Sequence, residues 1–224
     1  MNKKRRIFLY VIITTVVVFS ATAAYIGFNR ADHFASPLNQ ALSLYQKGDY
    51  KRAMTYFTKA DKAGIPEATF ALGSMHFTGL GTSVDIPKAL SYYHKAADAN
   101  YAPAQTTLAF LYIDGKYVAK DPEAAVNFAL KAAENNDTEA QMILARWFEN
   151  GEYVRRDMNE AIRFYTMAAK NGNMNAKIAL TVIYKDRKGN IVAAKKWEES
   201  IQKQKRFENI FRNLPPDYIE KALP

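Results

Sequence analysis

Alanine recurs at a fixed spacing of 36 residues, at Ala68, Ala104, Ala140 and Ala176, and leucine keeps the same spacing at Leu72, Leu108, Leu144 and Leu180. Small residues follow at Gly73, Ala109 and Ala145, with Thr181 as the exception. Apolar and aromatic positions then run Met75, Leu111, Trp147, Ile183 and His76, Tyr112, Phe148, Tyr184. A glycine comes next (Gly79, Gly115, Gly151), then an aspartate (Asp85, Asp121, Asp157). The second half of each unit repeats Ala89, Ala125, Ala161 and the pairs Ala96-Ala97, Ala132-Ala133, Ala168-Ala169. A fixed period of this length is the mark of an array built from one supersecondary unit.

The residue chemistry predicts that the unit is a helical hairpin. Ala68, Leu72, Met75 and His76 follow the i, i+4, i+7, i+8 spacing of one helix face. Glycine ends that helix where a positive φ is convenient. The aspartates stand where a second helix begins and can cap its free N–H groups, and Pro87 and Pro122 fall in its first turn. Ala89, Tyr93 and Ala96 form the inner stripe of the second helix; the alanines allow close approach and the ring fills the space beside them. A shorter hairpin precedes these units at Leu38–Gly64, with Ala53 and Ala60 placed 36 residues before Ala89 and Ala96. In the last unit the loop shortens, so Ala193 and Trp197 are expected in the places of Ala161 and Tyr165. A long amphipathic helix is expected from about Ile191 to Asn213, stopped by Pro215-Pro216.

Ile7 to Phe28 is a run of 22 uncharged residues preceded by Lys3, Lys4, Arg5 and Arg6. At about 1.5 Å per residue such a helix crosses a hydrocarbon core roughly 30 Å thick. The basic flank predicts a cytoplasmic N-terminus with residues 31–224 on the far side of a bacterial inner membrane, in the periplasm. A cleaved signal peptide is the alternative, because Ala21-Thr22-Ala23 fits a small-residue cleavage site. The expected layout is a basic tip and transmembrane anchor at 1–30, a linker at 31–37, an array of about five hairpins at 38–213 and a tail at 214–224.

The units resemble the Sel-one-like repeat (SLR) family, relatives of the tetratricopeptide repeat. Residues 68–97 carry the likeness best, through Leu72-Gly73, Gly79, Gly81, Asp85, Lys88-Ala89, Tyr92-Tyr93 and Lys95-Ala96-Ala97. Units 102–137 and 138–173 keep most of the pattern but put Tyr117 and Tyr153 in place of the second glycine. Unit 174–205 lacks the aspartate and the double alanine, and the first hairpin, with Gly48-Asp49-Tyr50, looks more like a tetratricopeptide unit. The resemblance implies an all-α, right-handed superhelical solenoid over about 38–205, with first helices lining a concave groove that binds a protein.

Positions between the core residues of the first helices then point into that groove. They are Phe70, Ser74, Phe77 and Thr78; Thr106, Phe110, Ile113 and Asp114; Met142, Arg146, Glu149 and Asn150; and Ile178, Val182, Lys185 and Asp186. Phe70, Phe110 and Met142 would form an apolar ribbon beside Arg146 and Glu149, a mix typical of binding hot spots. The competing reading is that these rings only complete packing between hairpins.

Composition argues against other functions. The chain has no cysteine, which excludes disulfides, thiolate nucleophiles and Cys-ligated metals. Its net charge of +9 falls to +4 once the five basic residues of 1–30 are set aside, which does not make a nucleic-acid footprint. Of three histidines, His33, His76 and His94, the second takes a core aromatic position and the third a tolerant outer one. No metalloprotease, hydrolase or phosphate-loop motif occurs, and neither cofactor nor metal is expected. Basic residues Lys195, Lys196, Lys203, Lys205 and Arg206 read as a solvated helix face, with anionic lipid or an acidic partner as the alternative. The expected function is a non-enzymatic scaffold; the alternatives are an immunity protein neutralising a toxic secreted enzyme such as a phospholipase, and an accessory factor of a peptidoglycan enzyme.

Overall fold

The computed structural model describes residues 36–187 and 190–212. The anchor segment 7–28, His33 and the tail 214–224 lie outside the described residues. Among those described, ten α-helices form five hairpins: α1 (Pro37–Gln46) with α2 (Tyr50–Lys62), α3 (Pro66–Thr78) with α4 (Ile86–Asp98), α5 (Ala102–Asp114) with α6 (Pro122–Glu134), α7 (Thr138–Asn150) with α8 (Met158–Lys170), and α9 (Met174–Val182) with α10 (Ile191–Arg212). No helix among the described residues is long and apolar enough to cross a membrane. The chain divides after Asp137 into two compact units.

Two backbone devices recur among the hairpins. The first closes the turn between the two helices of a hairpin. Gly79, Gly115 and Gly151 adopt left-handed φ values of 78°, 68° and 75°. Each donates its own N–H to a carbonyl four residues back, at Met75, Leu111 and Trp147. The chain runs on until the N–H of Asp85, Asp121 or Asp157 donates to the carbonyl of His76, Tyr112 or Phe148, at 2.9, 3.0 and 2.9 Å. The same aspartates turn their carboxylates onto the next helix: Asp85 accepts from Lys88 N at 3.0 Å, Asp121 from Ala124 N at 2.9 Å and Asp157 from Asn159 N at 2.8 Å. One residue therefore pins the loop with its backbone and starts the helix with its side chain.

The second device follows the second helix of a hairpin. Gly64, Asn100 and Asn136 in the first unit and Gly172 in the second hold positive φ after the second helix. Glycine and asparagine are the residues that take this conformation at least cost.

In the last hairpin the turn-closing bond runs from Asn190 N to Tyr184 O, 2.8 Å, across a loop three residues shorter than in the second, third and fourth hairpins. A π-helical turn, Ile183–Arg187, follows α9. Asn190 does the work of the missing aspartate by accepting from Ala193 N at 3.0 Å. The shortened loop sets a register one residue away from the expected one. Ala194 is buried and takes the place of Ala161, while Ala193 and Trp197 are half-buried. Ile201 follows seven residues later, where Ala168 follows Ala161.

The first unit packs around alanine. Ala41, Ala53, Ala60 and Ala68 are buried with Phe57, Leu72 and Met75 between the first and second hairpins. Ala89, Ala96, Ala97 and Ala104 are buried with Phe70, Tyr93, Leu108 and Leu111 between the second and third. In the second unit Ala140, Ala161, Ala168 and Ala176 are buried with Leu144, Phe164, Tyr165 and Leu180. The Phe148 and Phe164 rings stack with centroids 5.8 Å apart.

Gly73 marks the closest approach. A Cβ placed there would lie 2.8 Å from the ring of Tyr93 and 3.2 Å from the carbonyl oxygen of Ala89. Tyr93 has no free volume to retreat into, being fully buried with Phe70 and Phe77 against it. Gly73→Ala should therefore destabilise by about 1–2 kcal/mol, even though alanine is the better helix former by about 1 kcal/mol. Urea denaturation of the two proteins checks this; equal or higher stability of the variant would show that the α3–α4 contact is looser than described.

Candidate functional site

A polar column beside the alanines recurs at the repeat spacing and escaped the sequence pattern: Thr69, Gln105, Gln141 and Lys177, all buried. Each bonds to a flanking element of its own unit. The Thr69 hydroxyl donates to Asp61 of α2, which also accepts from Lys95 Nζ at 2.7 Å. Gln105 donates to Ala97 O at 3.1 Å and accepts from Asn135 Nδ2 at 3.0 Å. In the second unit Gln141 accepts from Asn171 Nδ2 at 3.1 Å, and Lys177 Nζ donates to Gln204. Buried polar groups must find such partners, so this column fixes the seating of neighbouring hairpins and is closed to a ligand. Burial pushes the Asp61 carboxyl up, but the hydrogen bonds from Lys95 and Thr69 and the Lys95 charge outweigh it and leave it below the usual range.

The groove expected from sequence is altered in the first unit. Phe70 is only 5 % exposed, its ring centroid 5.4 Å from that of Tyr93 and 5.5 Å from that of Tyr101. Ser74 is buried; its hydroxyl donates to Phe70 O at 3.1 Å and accepts from Tyr93 OH at 3.4 Å. Thr106 is 4 % exposed, and among the described residues its hydroxyl has no partner. These three residues complete packing between hairpins and offer nothing to a partner. The cause is geometric: α3 packs against both α2 and α4, and α5 against both α4 and α6. A helix with two neighbours buries more than the single stripe that periodicity reveals. Phe77, Thr78, Phe110 and Ile113 are half-buried and Asp114 is exposed. The Phe77 ring meets the Tyr117 ring edge-on with centroids 4.9 Å apart. Tyr117, in place of the second glycine, thus works as an inter-hairpin wedge.

At the same repeat positions the second unit is open. Met142 is half-buried and Arg146 exposed on α7, while on α9 Ile178 and Val182 are 47 % and 48 % exposed. Lys185 and Asp186 are exposed after them, as is Asn150 on α7. Glu149 is half-buried and held, accepting from Tyr165 OH at 2.8 Å, while its backbone oxygen accepts from Arg156 Nε at 3.0 Å. It is therefore a brace between α7 and α8, not a free acidic contact beside Arg146.

Both described histidines pack against aromatic rings. His94 departs from the outer position expected of it: half-buried, it sits edge-on to Tyr112 and Phe128, at centroid distances of 6.2 and 5.8 Å. His76 is buried and stacks on Tyr92 at 5.7 Å, with Nδ1 unpartnered among the described residues. No group of three or more His, Asp or Glu side chains gathers as a metal site among the described residues.

With the fold and these positions in hand, comparison with known proteins gives a consistent picture. The Sel1 repeat profile matches residues 41–64, 66–101, 102–137 and 138–173. The crystal structure of a Sel1 repeat protein from Oxalobacter formigenes is similar over 79 % of this chain and 76 % of that one, with 28 % identity and a TM-score of 0.65. A protective antigen present in uropathogenic Escherichia coli strains, displaying an SLR fold, aligns with 67 % of this chain at 26 % identity and a TM-score of 0.59. This chain spans only 33 % of that protein's length. An immunity protein from Pseudomonas aeruginosa aligns over 86 % of this chain and 91 % of its own at 20 % identity, but a TM-score of 0.40 is too loose to carry an argument. No curated protein sequence matches.

The buried histidine supplies a pH prediction. Burial and the charge of Lys88 hold His76 below its ordinary value, with Asp85 opposing them. The unfolded chain takes up that proton near pH ~6.5 while the folded one resists it, so stability is full above that value and falls as pH drops towards the folded pKa. His76→Phe, which installs the residue type of Phe148, should be more stable at pH 5 and lose less between pH 7 and 5. Thermal melts at the two values test this; an unchanged pH slope would show that His76 is not the group responsible.

Proposed function

Because the chain belongs to the Sel1 repeat family, we propose that it is a scaffold without catalytic activity that holds a partner protein on the extracytoplasmic face of a bacterial inner membrane. The observation that carries the binding part is the contrast at equivalent repeat positions. Hairpins of the first unit bury Phe70, Ser74 and Thr106, whereas the second unit exposes Arg146, Ile178 and Val182. Arginine together with apolar side chains is the composition of interface hot spots, and large apolar side chains left half-exposed on a helix add nothing to the fold that carries them.

The membrane part of the proposal is supported by the uncharged run Ile7–Phe28 and its basic flank Lys3–Arg6. A tether confines the search for a partner to the membrane plane and so raises the effective concentration of the pair. Alanine seams, capped turns and polar columns occupy the interior with packing, which leaves the exposed helix positions to supply function.

Envelope membranes cross-linked in intact cells and purified through a tag on the C-terminal end should yield this chain with a stoichiometric protein partner, and a protease added to spheroplasts should digest residues 36–212. Recovery of the chain alone would contradict the scaffold reading. Protection from protease until the inner membrane is permeabilised would contradict the orientation.

A further inference from the structure

We propose that the partner docks on the second unit, along α9 and α7, and that the docking element is an acidic polypeptide segment bearing apolar side chains. The inference rests on the scaffold reading above and adds the place and chemistry of the partner.

Charge divides between the units in a way that the whole-chain value hides. Residues 36–137 contain 10 basic and 10 acidic residues, whereas 138–212 contain 15 basic and 9 acidic, a net of +6. The positive balance of the described chain therefore belongs to the second unit alone. Within it, Ile178 and Val182 lie one helical turn apart on α9, and Lys185 follows three residues on, after the π-helical turn has begun. Arg146 occupies on α7 the repeat position that Val182 occupies on α9. Among the described residues neither Arg146 nor Lys185 is held in an ion pair, and the nearby acid Glu149 is engaged by Tyr165. Cations outside any ion pair, on the same repeat positions as half-exposed aliphatic side chains, fit a segment that brings carboxylates and apolar groups together. Lys195, Lys196 and Lys203, exposed on α10, extend the attraction beyond the contact and speed the encounter.

A polypeptide fits this stripe better than a bilayer does. Helix α9 packs against both α8 and α10, so Ile178 and Val182 lie on a helix flanked by two others. An extended or helical segment can follow such a stripe along the helix. Val192 and Phe207 on α10 are more exposed, at 82 % and 61 %, and they provide the contact that a bilayer would use.

Full-length protein in detergent is panned against a displayed library of random dodecapeptides, and synthetic versions of the enriched peptides are titrated by fluorescence anisotropy. Enriched sequences should combine Asp or Glu with Leu, Ile or Phe, and their binding should weaken as salt rises. Arg146→Glu with Lys185→Glu should weaken binding tenfold or more, and so should Ile178→Ser with Val182→Ser. Lys51→Glu with Lys62→Glu, a reversal of equal size on the first unit, should change it less than twofold. All six positions except Ile178 and Val182 are charged surface sites, and circular dichroism confirms that each variant folds.

Peptides without an acidic excess, or binding indifferent to the Arg146 and Lys185 changes, would overturn the proposal. It is equally overturned if, in protein reconstituted into vesicles of phosphatidylglycerol and phosphatidylethanolamine, those changes abolish photocross-linking of residues 138–212 to lipid while leaving peptide binding intact. In each of these cases the scaffold reading still stands or falls on whether a stoichiometric partner is recovered from cross-linked membranes.

Discussion

Close approach of helices across buried alanines is the condition on which the rest of this structure depends. The columns Ala53, Ala89, Ala125, Ala161 and Ala60, Ala96, Ala132, Ala168 are wholly shielded from solvent. A methyl side chain is large enough to exclude water and small enough to let backbones come together. At Gly73 even that methyl is removed, and the ring of Tyr93 occupies the space. Because an alanine seam buries little apolar area by itself, each hairpin needs larger residues from its neighbours within the unit. Phe70 and Tyr101 meet between the second and third hairpins for this reason.

That constraint explains which features were legible in the sequence. Alanine, leucine, glycine and aspartate recur every 36 residues because each answers a demand that every hairpin repeats. The helical hairpin as the repeating unit could therefore be read directly. Orientation of the first helices was harder, because a helix held between two others has no single polar face. Phe70, Ser74 and Thr106 passed for surface residues on a one-stripe pattern and are buried by a second neighbour. The last hairpin was misread by one residue: Asn190 performs the capping task of an aspartate, and a search for aspartate passes over it. Gln105 and Gln141 recur at the repeat spacing, but Thr69 and Lys177 fill the same position with other chemistry, so the full column shows only when their hydrogen bonds are seen.

Function follows from where the repeat stops being uniform. Positions of the alanine seam are held to small residues in both units. Positions one step away on the first helices change from Ser74 and Phe110 to Arg146 and Val182, and exposure changes with them. Such divergence on a constant frame is how repeat proteins acquire separate partners without altering the fold. The charge of the second unit belongs to the same divergence, since the alanine seam places no demand on residues that face water.

The alanine seam can be tested directly by comparing Ala104→Leu with Ala119→Leu. Ala104 lies wholly buried within the first unit, and Ala119 is exposed in the loop between α5 and α6. If close helix approach governs the fold, chemical denaturation should show the buried substitution destabilising by about 1–3 kcal/mol or more, with the exposed one nearly neutral. Equal tolerance of leucine at both positions would contradict the account, because it would mean that the helices have room that the seam denies them.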